Sequence, residues 1–300
     1  MARFTSVNGF VGLGFETTTG TPVTPTQFLP IISAEIGDTV EHLRAATTIR
    51  VGGFTVTRPQ TGKKVVTPKM SGPLLYNLIG ALYRGIDATV SSSGANPYTH
   101  VFSPGTSQGF TFELAVSGAI ADSRKANGAV MTELVLNFPR DGICTFDASY
   151  GAFNVVAPAT KTAISYPTLN EIVGSDCTTM SLGSTVLKNH AGDVKITITN
   201  PVKEGRGCTR VSGEMVVSEW VDGASREMKI EFPLEMDTAS WNDFQVRHIT
   251  APLPTEDDFT YTLTDPSTSE TLTIVARNCA VSSSAEVKVG DPDGDVVRVT

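Results

Sequence analysis

Apolar and polar residues alternate most clearly at positions 228–236, where Met228, Ile230, Phe232, Leu234 and Met236 are separated by Lys229, Glu231, Pro233 and Glu235. A period of two predicts a strand with one buried face. A short helical stretch is predicted next, with Asp237 or Thr238 as its cap and Trp241 and Phe244 on one side. The first half carries a similar order. Val66, Pro68 and Met70 alternate more weakly and run into residues 73–83, where Leu74, Leu75, Leu78, Ile79 and Leu82 recur at helical spacing. Pro73 suits the first turn of that helix, because the amide it lacks would have no partner there, and Gly85 suits its end.

The parallel continues downstream. Residues 98–102 (YTHVF) are matched by residues 259–263 (FTYTL), each followed by a turn rich in small residues and then by a new strand, 110–114 in one half and 272–275 in the other. Each half then closes on a hairpin around an Asp-Gly pair, Asp141-Gly142 and Asp293-Gly294. The shared order predicts two related β domains, residues 1–155 and 156–300. The 300 residues suffice for two such cores. The expected linker is residues 153–167 (FNVVAPATKTAISYP), bracketed by Pro158 and Pro167.

Composition narrows the class. With 40% apolar and 18% charged residues the chain is expected to fold, as β structure with long Thr/Ser/Gly-rich loops. No export signal is recognisable, and the longest largely apolar run, 74–83, is about half of what a membrane-spanning helix needs. Cys144, Cys177, Cys208 and Cys279 are scattered without a Cys-x-x-Cys pair, which reads as reduced thiols. The net charge is −8 and the basic residues form no stripe, with Lys63-Lys64 and Arg124-Lys125 the only adjacent Lys/Arg pairs. Such a surface should repel nucleic acid rather than grip it.

Candidate chemistry is sparse. His42, His100, His190 and His248 are isolated from one another, and His100 falls within a predicted strand. There is no nucleophile elbow or phosphate-binding loop, and Gly9, Gly12 and Gly14 are misordered for a dinucleotide fingerprint. Asp291, Asp293 and Asp295 could gather around a hard cation. The lack of a following bidentate Glu favours a plain Pro-Asp-Gly hairpin turn instead. Glu231, Glu235 and Asp237 read as a solvated strand face rather than a hydrolase pair. Trp220 and Trp241 read as packed residues rather than a sugar platform. No enzyme activity and no cofactor are expected.

The opening segment, residues 11–25 (VGLGFETTTGTPVTP) continuing through Phe28-Leu29-Pro30, closely resembles that of the tail tube proteins of long-tailed, non-contractile bacteriophages. Residues 40–44 (VEHLR), the helix after Met70-Ser71-Gly72, residues 98–105 (YTHVFSPG) and the C-terminal strand-turn-strand stand where that family would put them. The resemblance covers most of the chain and is most specific at its start.

The resemblance implies a structural virion protein, mainly β, with two tandem sandwich or barrel domains each flanked by one short helix. Such proteins stack as rings into a hollow tube through which phage DNA leaves the capsid. Joined to the duplication, this implies rings of three copies with pseudo-sixfold symmetry; rings of six are the alternative. Implied partners are further copies of the chain, tape measure, tail terminator and tail tip proteins, and DNA passing without specific binding. No membrane is involved, and the tail is expected to assemble in the bacterial cytoplasm. Residues 2–30 are expected to order as an arm on a neighbouring copy. Expected contacts are Phe4, Phe10, Phe15, Glu16, Thr17, Pro22, Phe28 and Leu29, with Gly52, Gly53 and Gly62 in a mobile hairpin, residues 44–66, that reaches the next ring. A secreted carbohydrate-binding or adhesion sandwich is the rival class, although such a protein should carry a signal peptide and often paired cysteines.

Overall fold

The computed structural model describes residues 9–43, 60–86, 89–94, 99–103, 105, 108–115, 123–166, 168–183, 185–187, 192–204, 208–211, 214–217, 219–222, 226–235, 256–280, 286–287 and 296–299. The first half contains β1 (Phe10–Phe15), β2 (Gln27–Leu29), β3 (Ser33–Leu43), β4 (Gln60–Pro73), helix α1 (Ile79–Ile86), β5 (Thr89–Ser93), β6 (Thr99–Ser103), β7 (Phe110–Ala115), β8 (Ser123–Phe138), β9 (Thr145–Gly151) and β10 (Asn154–Ala159). The second contains β11 (Cys177–Leu182), β12 (Thr185–Leu187), β13 (Val194–Thr199), β14 (Val202–Glu204), β15 (Cys208–Val211), β16 (Glu214–Val217), β17 (Trp220–Asp222), β18 (Glu227–Glu235), β19 (Asp257–Thr264), β20 (Thr271–Cys279), β21 (Glu286–Val287) and β22 (Val296–Val299). The fold is mainly β, as expected, and its sheets are open; no barrel closes among the described residues.

The two halves repeat one strand order. In the first, neighbours run β3-β4-β9-β8; in the second they run β13-β18-β22-β21. Taken along the chain, each block places its first two strands side by side and then inserts its last strand before its third. The blocks join where β8 pairs antiparallel with β13, Phe138 opposite Val194 and Glu133 opposite Thr199. A second layer repeats as well, β2-β1-β7 meeting the early part of β8 in the first half and β12-β11-β19-β20 in the second. In the first half one long strand serves both layers: β8 pairs with β7 and β10 up to Ala129 and with β9 from Val130. Gly128, at φ 61°, marks the change, a conformation that side-chain-bearing residues rarely hold.

This repetition corrects one pairing read from the sequence. By its partners, β7 corresponds to β19, since β7 pairs β1 as β19 pairs β11. The strand at Thr99–Ser103 instead forms a separate hairpin with β5. The predicted helix also starts later than expected. The Leu74 and Tyr76 amides donate to the Cys144 and Asn170 carbonyls, and Ile172 donates back to Leu74, so this stretch takes strand-like partners before α1 begins at Ile79. Pro73 therefore ends a strand and Gly85 lies inside the helix, its face pressed so closely to Phe110 that an added Cβ would sit 2.9 Å from that ring. Part of the expected linker is also ordered, because residues 154–159 pair with β8. The Asp141-Gly142 hairpin joins β8 to β9 as predicted. Strands β21 and β22 pair across the second Asp-Gly. That turn itself and the helix expected after residue 236 lie outside the described residues.

Alternation explains the core. Val194, Ile196 and Ile198 of β13, Leu134, Leu136 and Phe138 of β8, and Phe146, Ala148 and Tyr150 of β9 all point inward and are buried. One apolar cluster runs through both halves, and Phe138 meets Tyr261 edge-on with ring centroids 5.1 Å apart. Each such aromatic contributes about 2–3 kcal/mol by burial. Between β13 and β18 the chain makes an excursion: β14 pairs β17, β15 pairs β16, and β16 runs parallel to β4 at Lys63 and Lys64. Trp220 docks this excursion on the first half, stacking on Phe153 at 5.6 Å and donating Nε1–H to the Gly128 carbonyl at 2.8 Å.

Candidate assembly surface

The face of the joined sheet opposite the core is polar. One row across it reads Glu231, Lys195, Asn137, Thr145; the next reads Lys229, Thr197, Val135, Asp147, Ser71, Ser33; a third reads Glu227, Thr199, Glu133, Ser149, Lys69, Glu35. Val135 is apolar, as is Pro73, which follows Thr145 in the first row. Lys229 and Glu231 form an ion pair at 2.5 Å, and the Asn137 amide donates to Asp147 at 3.2 Å. Carboxylates outnumber amines in the rows, and both signs are interspersed. Such a face offers a polyanion neither a basic groove nor aromatic stacking platforms.

Buried carboxylates fix the opening strand beneath this sheet. Glu16 is 2% exposed. Its carboxylate accepts from the Gly20 amide at 2.6 Å, the Thr111 hydroxyl at 2.9 Å, and the Gly128 amide at 3.0 Å and 3.2 Å. It thereby ties the end of β1 to β7 and to the bend in β8. Glu113 on β7 is fully buried and accepts from the Ser123 hydroxyl at 2.7 Å and from the Thr162 amide at 2.9 Å and hydroxyl at 2.5 Å, with Lys125 at 3.3 Å. Burial by itself raises this carboxyl's pKa. The hydrogen bonds from Thr162 and Ser123 and the Lys125 charge outweigh that, and the group is held below its ordinary value.

The residues expected to touch other copies fall into three groups. Phe10, Phe28 and Leu29 are buried within their own chain, Phe10 meeting Phe28 edge-on at 5.5 Å, and Phe15 packs on Phe110 at 5.0 Å. Residues 9–30 thus pack within the second layer of their own chain. Thr17 and Pro22 are exposed, and Gly62 lies on β4 where its register with β3 shifts. Phe4, Gly52 and Gly53 lie outside the described residues, as do Trp241 and the metal candidates Asp291, Asp293 and Asp295.

Among the described residues no group of three or more potential metal ligands comes together. His100 is exposed on β6, its Nδ1 2.8 Å from the Ser92 hydroxyl. Hydrogen bonds from Thr268, Ser267 and Asn170 hold the Asp265 carboxyl well below its ordinary value, whereas burial pushes the Cys144 thiol up to about 12 and raises the Tyr150 and Tyr261 hydroxyls. Held neutral and enclosed, the thiol and the two hydroxyls are packing groups. Glu16 and Glu113 were the residues whose structural role the sequence pattern missed. The available signal was an acid inside FTFELA, a segment buried on both faces.

The described residues form a repeated two-layer β arrangement with one polar sheet face. The chain belongs to the phage tail tube protein family, whose model matches residues 6–297. A search of curated proteins finds no significant match. Membership makes the chain a structural component of the virion tail, one of the identical subunits of a tube. No described helix is long and apolar enough to cross a membrane.

Proposed function

We propose that the chain self-assembles into stacked rings of three copies, forming the tail tube of a long-tailed, non-contractile phage and the conduit for DNA ejection into the host. Units 1–155 and 156–300 act as two tandem tube domains and give each ring pseudo-sixfold symmetry. The observation that carries this reading is the strand order repeated within one sheet, β3-β4-β9-β8 followed by β13-β18-β22-β21. The first layer is hydrogen-bonded across both units, whereas β2-β1-β7 and β12-β11-β19-β20 belong to separate sheets. In a ring, the layer at smaller radius has the shorter circumference and is the one that can stay continuous. That supports an inner position for the joined sheet, with its polar, carboxylate-rich face lining the lumen and repelling the DNA it passes.

Tape measure, terminator and tip proteins are the partners this role requires, with assembly in the host cytoplasm. Thr17 and Pro22 are exposed and available for contact between copies. The hairpin expected at residues 44–66 reaches the next ring, and its residues 60–66 are paired with β3 as the first part of β4. Negative-stain electron microscopy across a concentration series, with light scattering beside it, tests the proposal. Hollow tubes or stacked rings with three chains per ring are expected. Six separate chains per ring would refute the trimer, and a particle that stays monomeric even with a tail-tip nucleus added would refute the tube.

A further inference from the structure

The chain contains two Asn-Gly pairs, Asn8-Gly9 and Asn127-Gly128. Such a pair is chemically unstable wherever its backbone turns freely. Glycine has no Cβ to shield its amide nitrogen, and that nitrogen attacks the asparagine Cγ. A bond forms between the two, the bond from Cγ to Nδ2 breaks, and the side-chain nitrogen leaves as ammonia, taking the amide proton. Water then opens the cyclic imide at either carbonyl. The product is an aspartyl residue, or an isoaspartyl residue whose main chain is one methylene longer. Nothing is oxidised or reduced.

At Asn127-Gly128 the fold holds every group that takes part. The Gly128 nitrogen, the nucleophile, points its N–H into the Glu16 carboxylate at 3.0 Å and 3.2 Å. The leaving group, Asn127 Nδ2, donates to the Gly20 carbonyl at 2.9 Å. The main-chain carbonyls of Asn127 and Gly128 accept from the Phe153 amide at 3.0 Å and from Trp220 Nε1 at 2.8 Å. During the attack, negative charge would develop on Asn127 Oδ1. That atom is buried with no hydrogen-bond donor among the described residues, and an oxyanion without donors keeps the barrier high. The Phe153 ring also lies over Gly128 too closely to admit a Cβ. Cyclisation would have to rotate a peptide gripped by residues 16, 20, 153 and 220 at once.

We propose that Asn127-Gly128 is a self-modification site that folding closes: the chain deamidates there while unfolded, and the product cannot rebuild the native bend. An aspartyl carboxylate at 127 would set an acceptor against the Gly20 carbonyl and place a negative charge next to the amide that Glu16 holds. The isoaspartyl form would lengthen the main chain just before Gly128, whose φ of 61° marks the change of β8 from one layer to the other. The reaction runs one way, so an unfolding event that outlasts it becomes irreversible. A chain left unfolded for long is removed chemically from the pool that can refold.

Mass spectrometry on the wild-type protein tests this. Samples are kept in mildly alkaline buffer, folded or in concentrated urea, and digested in acid at intervals. In urea both Asn-Gly pairs are expected to gain the mass of exchanging NH2 for OH at similar rates. In the folded protein Asn127 is expected to convert at least tenfold more slowly than in urea; conversion at the urea rate would overturn the closure. Chains aged in alkaline urea are then refolded, and soluble and aggregated fractions are separated. Chains modified at 127 are expected to be enriched in the aggregate relative to chains modified at Asn8, and their equal recovery in the soluble fraction would overturn the one-way consequence. Trp220→Phe keeps a ring against Phe153 and gives up the bond to the Gly128 carbonyl. It is expected to speed conversion at Asn127 in the folded protein severalfold, and an unchanged rate would overturn the assignment of the protection to these bonds.

Discussion

Removing the Glu16 carboxylate is predicted to loosen the whole second layer of the first half, because one side chain holds three elements. In Glu16→Ala the Gly128 amide and the Thr111 hydroxyl, both buried, lose their acceptor, and the Gly20 amide loses a short bond of 2.6 Å. A hydrogen bond to a charged group contributes about 1.5–3 kcal/mol, and an orphaned buried donor costs about 1–3 kcal/mol. These terms overlap, since each lost bond is also an orphaned donor, so the expected loss is about 3–5 kcal/mol. Urea unfolding followed by circular dichroism is the assay, with Thr17→Ala as the exposed neighbour that should stay within about 0.5 kcal/mol of wild type. Glu16→Gln should fall between them, because its amide nitrogen presents a donor where an acceptor is needed. A Glu16→Ala protein indistinguishable from Thr17→Ala would refute the reasoning and return residue 16 to the set of contacts between copies.

Trp220→Ala removes the Phe153 stack and the bond to Gly128 and is expected to cost about 2–4 kcal/mol; limited proteolysis should then cut faster within residues 202–222, and an unchanged cleavage rate would count against that docking. The Glu113 carboxyl, held below its ordinary value near 4.5, contributes stability that is complete above that pH and is lost as pH falls through its folded value. Acid titration of Glu113→Gln should accordingly show a flatter decline than wild type. A maleimide reagent is expected to label exposed Cys208 first and Cys144 last, since Cys144 is fully buried with its thiol pushed up to about 12; early modification of Cys144 in the native protein would contradict the packing around it.

Local pattern carried the strands whose partners lie next to them in sequence. The alternation at 228–236 became β18, and Asp141-Gly142 became the turn it implies. Long-range pairing decided the rest. Leu74, Leu75 and Leu78 have helical spacing, yet the Leu74 and Tyr76 amides bond to residues 144 and 170, which no local window contains. The opening segment looked too poor in apolar residues to fold on its own. In β1, Gly12 and Gly14 instead let Pro25 and Val23 lie against the strand, where an added Cβ would come within 2.8 Å of each. Backbone proximity does there what large side chains do elsewhere. The repeat itself was legible as an order of strands, but which strand matched which required knowing the partners, as the reassignment of β7 to β19 illustrates.

In the proposed ring, the covalent link between the two units would change the kinetics of closure. Joining two units by chain places each at an effective concentration in the millimolar range relative to the other. The β8–β13 seam is therefore already made in the lone molecule, at any dilution. In the proposed three-copy ring every second junction would then form without a collision, and the remaining ones alone would depend on protein concentration. A ring of separate single-unit chains would have to win each junction from solution. Fusing two units thus lowers the reaction order of ring formation, and it does so without strengthening any contact.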